Sequence, residues 1–89
     1  MNEEDGEMRF VISSGGCLIE FSEIDEFANM RLFADGERYT NGVYLNAKKM
    51  NWLSPNEDQI IDEPMKAHLI NLLQTEGKKQ GIVIRFYGV

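Results

Sequence analysis

The stretch DEPMKAHLINLLQTEGKKQGIVIRF, residues 62–86, decides the fold. Asp62 offers a side-chain oxygen to the bare amides of a helix start, and Glu63 and Pro64 suit a first turn. Met65, Leu69, Leu72 and Leu73 then recur at helical spacing as an apolar stripe. Gly77 offers one stop to this helix, and Gly81, after Lys78 and Lys79, offers a second. The second is favoured, because cations in a last turn complement the helix dipole. Beyond Gly81 the period drops to two: Ile82, Ile84 and Phe86 share one side, and Val83, Arg85 and Tyr87 the other. A helix feeding directly into so apolar a strand predicts a sheet covered on one face, with this strand in its interior.

Working towards the N-terminus, Pro55 cannot donate to a ladder, so any strand before it ends by Ser54. Val43 and Leu45 begin such a strand, which runs irregularly through Met50 to Trp52. Asn41-Gly42 and Asp35-Gly36 are both turn signals. They predict a strand over Met30, Leu32 and Ala34 that ends at Asp35, and a short strand over 37–40. Residues 22–29 are either a helical turn capped by Ser22 or a loop, and periodicity does not choose. Cys17, Ile19 and Phe21 alternate, as do Met8, Phe10 and Ile12, with Ser13 to Gly16 between them. That is a hairpin, antiparallel because its connection is too short for a crossover. The expected fold is α+β: a small antiparallel or mixed sheet of about five strands, packed by one principal helix in the C-terminal half. Residues 8–89 form this single domain, and residues 1–7 an acidic tail expected to fray.

With 89 residues the chain has room for one domain and a modest core. It carries fifteen acidic and nine basic side chains, a net charge of −6, which argues against direct nucleic-acid binding. No apolar run approaches the length of a membrane span, and the acidic start is the reverse of a signal peptide. One cysteine makes no internal disulfide, in keeping with a reducing, cytoplasmic setting. One Cys and one His fall short of a zinc site, and no phosphate or dinucleotide loop is present. No cofactor or metal is expected.

Candidate chemistry is equally thin. His68 falls on the flank of the helix stripe, where a structural histidine is the commoner occurrence. Cys17 is in phase with Ile19 and Phe21, as a packed thiol would be. The acidic doublets Asp25-Glu26, Glu57-Asp58 and Asp62-Glu63 lack the apolar pocket that a catalytic pair needs, and the last is explained by capping. No catalytic residue is assigned. Trp52 reads as a core plug, whereas Tyr44 is out of phase with Val43 and Leu45 and is expected to be exposed. Charge distribution says more. Residues 1–26 hold eight acids and one base, and residues 56–63 hold four acids and no base. If the second strand and the 55–62 connection share a side, the domain presents a concentrated negative field, which speeds encounter with a basic protein.

The order of features resembles a family. A Gly15-Gly16 turn lies between two early strands, and a later strand ends in Trp52-Leu53-Ser54-Pro55. An acidic loop follows over 56–61, then Asp62-Glu63 opening a helix with Ile70 and Leu73, then Gly81-Ile82 opening a last strand. This arrangement is similar to small α+β immunity proteins of bacterial polymorphic toxin and contact-dependent inhibition systems. The resemblance implies a non-enzymatic inhibitor that binds its cognate toxin in the producing cell, for instance a nuclease whose substrate site is basic. On this expectation Glu23, Asp25, Glu26, Glu57 and Asp58 are electrostatic contacts and Tyr44 is an aromatic anchor. The competing expectations are a structural or adaptor domain that homodimerises through a sheet edge, and an acidic nucleic-acid mimic.

Overall fold

Ser14 and Gly15 form the two-residue loop of a hairpin whose strands, β1 (Met8–Ser13) and β2 (Gly16–Phe21), pair antiparallel from Ser13↔Gly16 to Met8↔Phe21. These contacts come from a computed structural model that describes residues 8–22 and 27–89. The acidic segment 1–7 and the candidates Glu23, Asp25 and Glu26 lie outside the described residues.

Strand β3 (Arg31–Tyr39) pairs antiparallel with β2, and β4 (Gly42–Trp52) with β3. Helix α1 (Glu63–Lys79) follows, and β5 (Val83–Tyr87) joins the sheet parallel to β4. A parallel neighbour requires a crossover, and α1 supplies it. The sheet order is β1-β2-β3-β4-β5, an α+β fold with a mixed five-stranded sheet and one C-terminal-half helix.

The helix begins as its sequence dictates. Asp62 Oδ1 accepts from the Met65 amide at 3.0 Å, with Pro64 in the first turn. It passes through Gly77 and ends at the cap Gln80, followed by Gly81 at φ +79°. Gly77 is there for packing. A Cβ on it would lie 2.7 Å from Ile84 Cδ1 and 2.9 Å from the Ile82 carbonyl oxygen, so glycine lets β5 close onto the helix.

Leu69 and Leu73 are fully buried and meet Ile84, Val43, Leu45, Leu32, Ile19 and Cys17 in one core. Each such leucine contributes roughly 2 kcal/mol from burial. Trp52 is also core, 3% exposed, with its ring centroid 5.7 Å from Phe21 and 5.4 Å from Phe27.

Two expectations need correcting. The Asp35-Gly36 pair does not end a strand, because β3 runs through it as one element. Ala34 opposes Met50 while Gly36 opposes Leu45, so Asp35 alone faces residues 46–49 of β4. The excess of three residues on β4 is odd. Its inward positions therefore change from Val43 and Leu45 to Met50 and Trp52, and all four stay in the core. Asn46 Oδ1 accepts from the Lys48 amide at 2.9 Å inside this irregular segment, and Gly36 lies flat against Leu45. Glycine here serves close approach rather than a turn.

The second correction concerns β5, which is an edge strand. Its apolar character is explained by α1 on one side, where Ile84 is 5% exposed. Helix glutamines guard both sheet edges: Gln74 Nε2 donates to the Ile84 carbonyl at 3.0 Å, and Gln80 Nε2 to the Met8 carbonyl at 2.8 Å. The sheet thus curls until one helix reaches its first and last strands.

Candidate partner-binding surfaces

At one end of the sheet, β2 leaves, β3 begins and β4 leaves. The Leu53 amide donates to the Arg31 carbonyl at 2.9 Å, and Arg31 Nη2 donates to the Ser54 carbonyl at 3.2 Å. These bonds hold the start of the 53–62 connection beside β3. The chain turns twice, with Asn56 N donating to Leu53 O at 2.8 Å and Gln59 N to Asn56 O at 3.0 Å. Glu57 and Asp58 are exposed on these turns, and Ile60 is 87% exposed just beyond them. Asp62 is committed to its cap, and Glu63 pairs with Lys66 at 3.0 Å.

The other acid-bearing connection departs from the same end. Of its described residues, Ser22 follows β2, and Phe27 is buried against Trp52. Asn29, at φ +65°, donates to the Phe21 and Ser22 carbonyls. Glu57 and Asp58 therefore share an end of the domain with the residues that flank Glu23, Asp25 and Glu26.

Tyr44 does not belong to that end. It lies in the first half of β4, opposite Glu37 on β3 and Arg85 on β5, across the irregular segment from Trp52. It is exposed as expected, at 45%, and its ring meets Tyr87 edge-on at 4.9 Å and 64°. The register builds a grid around it on the face turned away from the helix. Tyr39, Gly42 and Val83 form one row and Glu37, Tyr44 and Arg85 the next, with Asn46 and Tyr87 beyond. All three tyrosines of the chain lie here, 40–45% exposed, with Val83 at 42%. Glu37, Tyr44 and Tyr87 line a shallow recess of about 350 Å³.

Charge is uneven along the sequence. Strands β3, β4 and β5 carry five bases (Arg31, Arg38, Lys48, Lys49, Arg85) and two acids (Asp35, Glu37). The remaining thirteen acids face only four bases elsewhere in the sequence.

The groups that could do chemistry are placed otherwise. Cys17 is fully buried, its Sγ 3.7 Å from the Leu18 carbonyl, and burial pushes the thiol from 9.0 up to about 11. A thiol held protonated is a poor nucleophile. His68 is on the exposed flank of α1, with its ring 5.8 Å from Phe27. Among the described residues no three of His, Cys, Asp and Glu are grouped as metal ligands, and no helix is long and apolar enough to cross a membrane.

Comparison with protein-family models, curated proteins and solved structures gives no match to this chain.

Proposed function

We propose that this domain is a non-enzymatic inhibitor of the immunity-protein kind, which meets a basic toxin in the cytoplasm with its acidic end. The observation that carries this reading is the anchoring of the 53–62 connection beside the start of β3. Leu53 and Ser54 bond to Arg31 while Phe27 packs on Trp52, so both acid-bearing connections leave the fold together. Carboxylates presented together raise the local potential, steer a cationic surface into contact, and imitate the phosphates that a nuclease would bind. Exposed Ile60 supplies an apolar contact beside Glu57 and Asp58.

Such an inhibitor uses stoichiometric binding and no reacting group. Glu57 and Asp58, with Glu23, Asp25 and Glu26 of the neighbouring connection, act as the electrostatic contacts. Tyr44, at the other end, is not part of this surface.

The test is co-expression with the product of the adjacent reading frame, which this reading expects to be a large protein ending in a small basic domain. Co-purification and rescue of growth support the reading. A chain that neither binds nor protects refutes it.

A further inference from the structure

We infer that the outer face of β3, β4 and β5 is a homodimer surface, closed by a two-fold axis that runs along β4 at Tyr44. This goes beyond the inhibitor reading, since it uses the opposite end of the domain and leaves the acidic connections open. The argument rests on self-complementarity. Glu37 and Arg85 flank Tyr44 on the two neighbouring strands, about 10 Å apart by strand spacing. Among the described residues neither has an ion-pair partner within 4 Å.

A two-fold axis along β4 exchanges the columns on either side of it. Glu37 of one copy then faces Arg85 of the other, and Arg85 faces Glu37. In the adjoining row Tyr39 faces Val83, the only large apolar side chain exposed on β5 besides Tyr87. Gly42 lies on the axis between them, buried, and glycine there serves the close approach of the Val83 backbone. The two rows that straddle the axis thus meet counterparts of suitable chemistry, which is what an isologous interface demands of one patch.

Two further observations favour this face. The charges that flank Tyr44, Glu37 and Arg85, balance one another in a chain of charge −6, so two copies meet where their mutual repulsion is small. Gln74 and Gln80 already occupy a carbonyl on each sheet edge, which disfavours dimerisation by edge pairing. A central carboxylate and the negative total charge disfavour a phosphate backbone as the occupant. The matched rows cover only three strands, which is the setting of a weak, concentration-dependent dimer rather than a permanent one.

Sedimentation equilibrium of the full chain over a wide concentration range reads this directly. The wild type should show a reversible monomer–dimer equilibrium. Glu37→Arg and Arg85→Glu should each raise the dissociation constant by about tenfold or more, since each sets like charges face to face. The double exchange Glu37→Arg/Arg85→Glu should restore it to within about threefold, and Glu57→Lys should leave it unchanged. All three positions are exposed, and an unchanged circular dichroism spectrum verifies the fold of each of the four variants. A monomer at every concentration would overturn the inference. So would open-ended association, a dimer indifferent to the single reversals, or a double exchange no better than either single change.

Discussion

Gln80 Nε2 donates a 2.8 Å hydrogen bond to the carbonyl oxygen of Met8, joining the cap of the helix to the first strand across 72 residues. The bond closes the curled sheet on the β1 side, as Gln74 does on the β5 side at Ile84. It also satisfies an edge carbonyl that would otherwise invite another strand. Gln80→Ala should cost about 1 kcal/mol. In native-state hydrogen exchange the β1 amides should then open about fivefold more often, while β2 and β3 are spared. Uniform acceleration throughout the sheet would show that Gln80 does not act on β1 in particular.

Gly77 is buried where α1 meets β5, and a methyl group there would press on the Ile82 carbonyl and on Ile84. Alanine gains about 1 kcal/mol of helix propensity but forces overpacking worth about 1–3 kcal/mol. Gly77→Ala should therefore destabilise the domain in urea denaturation by about 1 kcal/mol. A more stable variant would mean that β5 can move away without loss.

Trp52 shares its packing with Phe21 and Phe27, whose centroids lie 5.3 Å apart. Trp52→Ala should cost about 3–5 kcal/mol, a large part of the stability of a domain this small. A loss below about 1 kcal/mol would remove the tryptophan from the core.

Burial raises the Cys17 thiol from 9.0 to about 11. The folded state thus prefers the protonated form more than the unfolded state does. The stabilisation tied to that preference is complete below pH 9.0 and is lost as pH rises towards about 11, at up to about 1.4 kcal/mol per pH unit. Because lysines and tyrosines also titrate there, the measurement is the difference between wild type and Cys17→Ala in urea denaturation at stepped pH. The gap between them should change across that interval. A constant gap would contradict the shift.

Much of this architecture was legible in the residues. Alternation in Cys17, Ile19 and Phe21 and the Asp62 cap identify the hairpin and the helix because they are local signals with a fixed period. The path of β3 and β4 was less so. Asp35-Gly36 carries the composition of a turn, yet its glycine answers a tertiary demand, the close approach of Leu45, which no local pattern encodes. The edge position of β5 was hidden for a similar reason, since a strand covered on one side by a helix is as apolar as an interior one. At the surface, phase alone exposed Tyr44, but its neighbours Glu37 and Arg85 are 48 residues apart in sequence. They come together only through a register set by the Thr40-Asn41 loop and the crossover helix. That same register places Tyr44 at the opposite end of β4 from the 53–62 connection, apart from Glu57 and Asp58, with which the resemblance had grouped it.

The central claim is that carboxylates at the end shared by the 53–62 and 22–30 connections meet a basic protein. Its most direct test is the association rate between the full chain and a basic toxin domain that co-purifies with it, followed by stopped-flow at increasing ionic strength. Wild type should associate fast at low salt and slow steeply as salt rises. The Glu57→Lys/Asp58→Lys variant should lose about tenfold in rate at low salt and show a flatter salt dependence, and Asp25→Lys/Glu26→Lys should behave alike. Rates and slopes unchanged in both variants, with binding intact, would contradict the account.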